Sequence, residues 1–186
     1  MNLLVNKAPD YITVGGKKLS IKTDFALWIS FVISCENNDT DGILKAISDI
    51  FEEVPPQQDE FINACMEWLF PDNGNGGEKP TKKQNAMNRI PFDFEVDGNV
   101  IYCELWEYFP HLMERGISFH EGIELIKLLL HNENTMMWHR AFARCGDFSK
   151  MDKEQQKYWQ QQRAQYRIEN RTISQEDRDK WLYNAF

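Results

Sequence analysis

The spacing of apolar residues changes character several times along the chain. Tyr11-Ile12-Thr13-Val14 and Lys17-Lys18-Leu19-Ser20-Ile21 alternate apolar and polar around Gly15-Gly16. Two alternating runs joined by a Gly-Gly pair predict a β-hairpin. An isolated hairpin is marginal, so it should lie against the helices that follow. After Ile21 the period lengthens. Phe25, Trp28, Ile29, Val32 and Ile33 recur at three- and four-residue spacing, which predicts a helix capped by Thr23 or Asp24. Beyond the polar break Glu36 to Asp41, a second helix carries Ile43, Leu44, Ile47, Ile50 and Phe51 and stops at Pro55-Pro56. A third carries Phe61, Ile62, Cys65, Trp68 and Leu69.

Residues 71–85, PDNGNGGEKPTKKQN, contain no apolar residue and read as a flexible linker or loop. Helical spacing then resumes. Phe92-Asp93-Phe94 reads as an extended stretch docking onto the core. Asp97-Gly98-Asn99 starts a helix with Ile101, Leu105, Trp106, Phe109 and Leu112, and Gly116 stops it. Ser118 and Glu121 form a capping box before a helix that is apolar nearly all round (Ile123, Leu125, Ile126, Leu128, Leu129, Leu130), as a central core helix should be. Thr135 caps the next helix, with Met136, Met137, Trp138, Phe142 and Cys145, and Gly146 ends it. From Asp152 the sequence is Gln-rich with few apolar residues, namely Tyr158, Trp159, Tyr166 and Ile168. Such a helix packs weakly on its own domain and suits a partner or a second subunit. A last short helix is anchored by Trp181, Leu182 and Phe186. The pattern predicts a mainly α, bundle-like fold with a small N-terminal hairpin. It divides into 1–70, a linker or loop at 71–91, and a helical region 92–186 that can form one domain with 1–70.

Composition narrows the function classes. The 186 residues are 42% hydrophobic and 13% aromatic, enough for a packed core. Against 29 acidic residues stand 21 basic ones, a net charge of −8. That balance argues against a nucleic-acid binder and against docking on anionic membranes. The N-terminus lacks the apolar segment of a secretory signal, and no window approaches the length of a membrane span. Cys35, Cys65, Cys103 and Cys145 are far apart and contain no CxxC pair, as expected of reduced thiols in a cytoplasm.

No residue set points to catalysis. His120 and Glu124 share a helix face, but the second histidine of an HExxH site is missing. Cys145 with His139 or His131 lacks the surroundings of an active-site cysteine. The acidic group Asp93, Glu95 and Asp97 looks like a solvated helix end. Gly74-Asn75-Gly76-Gly77 follows no strand, as a phosphate loop would require. The expectation is a non-enzyme without cofactor or metal. Trp28, Trp68, Trp106 and Trp138 lie on apolar helix faces and read as core, whereas Trp159 and Trp181 suit a contact surface.

The order of features resembles the gene-product-fifteen family of tailed phages and prophages of Gram-positive bacteria. The likeness runs over residues 1–169. It rests on the opening hairpin and Thr23-Asp24-Phe25 with Trp28, on Trp68-Leu69-Phe70, on Asp93-Phe94 with Asp97 and Ile101-Tyr102, on Gly116-Ile117-Ser118-Phe119, and on Lys157-Tyr158 with Tyr166. Where the family has a His-Trp-Trp-Lys-Phe-like segment, this chain has His120-Glu121-Gly122-Ile123-Glu124. The resemblance implies a tail-assembly chaperone of the host cytoplasm that leaves before the virion matures. Its partners would be the tape-measure protein, the tail-tube protein and a second copy of itself. A head–tail connector retained in the virion is the alternative. A groove for an amphipathic helix uses Met and aromatics, and Met136, Met137, Trp138 and Phe142 could line one; Met136, Met137 and Trp138, with Tyr158, Trp159, Tyr166 and Trp181, are the partner-binding candidates.

Overall fold

A computed structural model describes residues 8–52, 58–69 and 90–168. The fold is mainly α with one two-stranded hairpin, as the periodicity predicts. The described residues fall into two compact units. The first comprises 8–52, 58–69 and 115–124, and the second 90–114 and 125–168. The predicted linker at 71–85, Pro55-Pro56 and the helix anchored by Trp181 lie outside the described residues.

In the first unit β1 (Tyr11–Val14) pairs antiparallel with β2 (Lys17–Ser20), Tyr11 opposite Ser20 and Val14 opposite Lys17. Gly15 and Gly16 turn at φ 55° and 79°, the backbone a tight primed turn requires. Alternation sends Ile12, Val14 and Leu19 inward. Helix α1 (Phe25–Glu36) is capped by Asp24, whose carboxylate accepts from the Ala26 and Leu27 amides. It packs on α2 (Thr40–Ile50), capped by Asp39, and α3 (Gln58–Leu69) lies against β1. Phe51 follows α2 in extended backbone and bridges Ile21.

The core of this unit is aromatic. Trp28, wholly buried, stacks on Trp68 at 4.3 Å and meets Phe31 and Phe51 edge-on. Both indole N–H groups are satisfied, Trp28 donating to the Lys22 carbonyl (2.8 Å) and Trp68 to that of Pro9 (2.7 Å). The segment before α6 (Phe119–Leu130) clips onto the start of α1. Phe25 N–H donates to Ile117 O (3.0 Å) and Phe119 N–H to Thr23 O (2.8 Å). The predicted capping box forms, with Glu121 accepting from the Ser118 amide at 2.9 Å. Arg115 pairs with the same carboxylate (2.8 Å). Burial alone would raise the Glu121 carboxyl, and the Arg115 and Ser118 hydrogen bonds hold it below its ordinary value. Gly122 faces Phe25 so closely that a Cβ there would clash with a ring carbon.

The second unit contains α4 (Phe94–Tyr108), α5 (Pro110–Arg115, all but its last residue), the second half of α6, α7 (Met136–Cys145) and α8 (Lys153–Gln165). Three expectations are corrected. Helix α4 begins at Phe94, because Asp93 accepts from the Glu95 and Val96 amides and so caps it one turn before Asp97-Gly98-Asn99. Two of the three acids are not solvated: Asp97 is wholly buried and Asp93 nearly so, while Glu95 is exposed as expected. Helix α6 is not enclosed all round, for Leu128 is 57% exposed.

Asp97 organises this unit. Its carboxylate accepts from Arg144 Nη1 (2.6 Å) and Nη2 (3.0 Å), Arg140 Nη1 (2.7 Å) and the Asp93 amide (2.9 Å). Arg144 further donates to the carbonyls of Pro91 (2.9 Å) and Tyr166 (2.7 Å). Burial would push the Asp97 carboxyl up. The hydrogen bonds from Arg144 and Arg140 outweigh it and hold the group below the usual carboxylate range. A second buried carboxylate, Glu104, accepts from the Met136 and Met137 amides at the start of α7, where the helix dipole favours negative charge. Thr135 caps the same end, accepting from the Trp138 amide (3.1 Å).

Candidate partner-binding surface

Four of the candidate residues lie where α7 packs on α8. Trp138 and Phe142, one turn apart on α7, stack at 4.9 Å with rings nearly parallel. Trp159 of α8 meets that pair edge-on, 4.8 Å from Phe142 and 6.3 Å from Trp138, and also touches His139 and Phe148. Tyr158 lies parallel to His139 at 6.3 Å, with its hydroxyl 3.4 Å from Nε2. Tyr166 presents its ring to the His139 edge, and Arg140 lies over it at 5.2 Å. Trp138, Tyr158, Trp159 and Tyr166 are thus brought into one cluster around His139 and Phe142.

The other candidates do not join it in the same way. Met136 is 45% exposed at the first turn of α7. Met137 is corrected as a contact residue: it is wholly buried, so it serves the core. Trp181 lies outside the described residues.

Helix α8 has no buried residue and stays in place through its aromatics and one guanidinium. Arg163 donates to Ala143 O (2.9 Å) and Gly146 O (2.6 Å) and covers the Phe148 ring at 4.2 Å. Those carbonyls end α7, where helical partners run out and a cation is favoured. Arg163 stands one turn after Trp159, so helical spacing alone signals that both share a face. His139 and Phe148 were not among the candidates. Phe148 sits between two helices with no periodicity to mark it.

Two thiols and three imidazoles sit in defined surroundings. Burial pushes the Cys35 thiol up to about 11 and that of Cys65 up to about 12, which leaves little thiolate. His131 Nδ1 lies 2.7 Å from Lys127 O. His120 Nε2 lies 3.0 Å from Trp68 O. Burial and then the Arg140 charge lower the His139 pKa, so the ring in the cluster is neutral near pH 7. Among the described residues no group of three His, Cys, Asp or Glu is arranged to hold a metal, and no helix is long and apolar enough to cross a membrane.

Exposed aromatics occur on α4 as well. Trp106, expected in the core, is 38% exposed, because the buried stripe of α4 runs through Asp97, Ile101, Glu104 and Leu105. Comparison with protein families, curated proteins and solved structures finds no match to this chain.

Proposed function

We propose that this protein is a non-enzymatic tail-assembly chaperone of a tailed phage or prophage. It binds the tape-measure protein in the host cytoplasm, assists assembly of the tail tube and leaves before the virion matures. The motifs shared with the gene-product-fifteen family point to this role. The observation that carries it is the α7–α8 cluster, where Trp138, Trp159 and His139 sit half-buried beside the exposed Met136 and Tyr158. A chaperone for a long helical polypeptide needs aromatic and Met surface of this kind.

Co-expression with the tape-measure protein encoded downstream tests the proposal. The expected result is a soluble complex on size exclusion, with the tape measure insoluble when expressed alone. An insoluble tape measure and no complex would overturn it. Recovery of the protein from purified virions would favour a head–tail connector instead.

A further inference from the structure

Helix α8 packs on α7 without burying any of its own residues. Trp159, Arg163 and Tyr166 stand at positions i, i+4 and i+7, and the Tyr166 amide still bonds to Gln162 O, so the three share one face. That face shows what α7 receives. The Trp159 ring lies among Trp138, Phe142 and Phe148. The Arg163 guanidinium reaches the Ala143 and Gly146 carbonyls. The Tyr166 ring faces the Arg140 guanidinium at 5.2 Å. The first two positions are well filled, by a ring among rings and by a cation at a helix C-terminus. The third is not. Arg140 donates from Nη1 to Asp97 (2.7 Å), while its Nε is enclosed and has no hydrogen-bond partner among the described residues. A ring face attracts the charge but offers Nε no acceptor, whereas a carboxylate would take its proton in a charge-assisted bond.

We propose that α8 is a displaceable strap over a helix-binding seat on α7, and that the seat accepts a partner helix carrying an aromatic residue, an arginine four positions later and an Asp or Glu seven positions later. The acid replaces Tyr166 and pairs with Arg140, which α8 leaves unsatisfied. The short connection from Gly146 to Asp152 holds α8 at an effective concentration on the order of millimolar, so a competitor must fit better than α8 or find it loosened. The inference rests on the proposed function only for the physiological source of the partner helix.

The test uses the full-length protein and fluorescein-labelled peptides spanning residues 152–168. One has the native sequence, the second carries Tyr166→Glu, and the third carries Tyr166→Glu with Arg163→Glu. In anisotropy titrations the second peptide binds about tenfold or more tighter than the first, as a new charge-assisted bond should make it, and the third binds at least about tenfold more weakly than the second. In the full-length variant Trp159→Ser with Arg163→Ser the strap is loosened, and affinity for the second peptide rises by about tenfold or more over the parent. A measurement on the parent protein needs no variant: saturating second peptide speeds hydrogen exchange of the α8 amides while the α7 amides keep their protection. Equal affinity for the first two peptides, equal affinity of parent and loosened variant, no binding at about 1 mM peptide, or α8 still protected in the complex overturns the proposal. A parent that elutes as a dimer and becomes a monomer on Trp159→Ser assigns the seat to α8 of a second copy and also overturns it. Failure to capture the tape measure, by contrast, counts against the proposed function and does not alter these readings.

Discussion

The Asp97–Arg144 pair is the place where a single substitution should cost most. Asp97 is wholly buried and Arg144 is 4% exposed, so neither can turn to water when the other is removed. Arg144→Met takes two of the four donors from the Asp97 carboxylate and leaves the Pro91 and Tyr166 carbonyls without theirs. Breaking a buried pair from one side costs about 3–5 kcal/mol. With a urea m-value of about 2 kcal/mol/M, the midpoint falls by roughly 2 M. Arg144→Lys keeps the charge but not the fork and should lose about half as much. Replacing both partners, Asp97→Leu with Arg144→Met, removes the stranded charge and should recover much of the loss; Arg140, only part-buried, can turn outward. The assay is urea unfolding followed by far-UV circular dichroism, with hydrogen exchange of the α4 and α7 amides. The pair also has a pH signature. Because the native carboxyl is held low, its contribution is complete above about pH 4 and is lost as acid takes the solution down through the native pKa. A midpoint shift below about 0.5 M for Arg144→Met would refute the reasoning. So would a double variant whose loss equals the sum of the two single losses.

Three further outcomes are expected. Gly122→Ala, which on helix propensity alone should stabilise by about 1 kcal/mol, instead destabilises by about 1–3 kcal/mol because its Cβ meets the Phe25 ring; a raised melting temperature would contradict this. Burial lowers the His120 pKa, and Nδ1 is enclosed with no partner among the described residues, so the unfolded chain takes up the proton first. Stability is therefore complete above about pH 6.5 and falls as pH drops toward the native value; His120→Gln should flatten urea midpoints across that range, and an unchanged slope counts against the assignment. Arg163→Ala removes two charge-assisted hydrogen bonds to the end of α7, and α8 amides should exchange at least about tenfold faster, a change of about 1.5–3 kcal/mol in local opening; unaltered protection would show that Trp159 alone holds the helix.

What could be read from the sequence follows from how far each interaction reaches. The Gly15-Gly16 turn, the Asp24 cap, the Ser118–Glu121 box and the Thr135 cap all close within four residues, and all four form as the pattern predicts. The Asp97 site joins residues more than forty positions apart, so its acids look in sequence like any solvated helix start. Helix faces were legible only in part. In α4 both sides carry aromatic or aliphatic residues, and periodicity did not show that Trp106 would face outward while Glu104 was buried against α7. The α7–α8 cluster was half visible. Trp159 and Trp138 announced themselves by type, whereas Arg163, which fixes α8, looked like one more cation in a polar helix.

The clip between Thr23 and Phe119 has a consequence for the order in which the chain can fold. The first unit draws its described residues from both sides of the second unit's first segment. During synthesis, which delivers about 5–20 residues per second, the hairpin and α1–α3 emerge long before Ile117 and Phe119. Until then the Phe25 amide and the Thr23 carbonyl have no strand-like neighbour, and Trp28 and Trp68 lack the wholly buried Phe119 that completes their core. The compositional break at 71–85 therefore marks a poor place to cut. A fragment ending there retains every helix of the N-terminal half and still lacks the residues that finish its interior, so it should resemble an arrested nascent chain more than a domain.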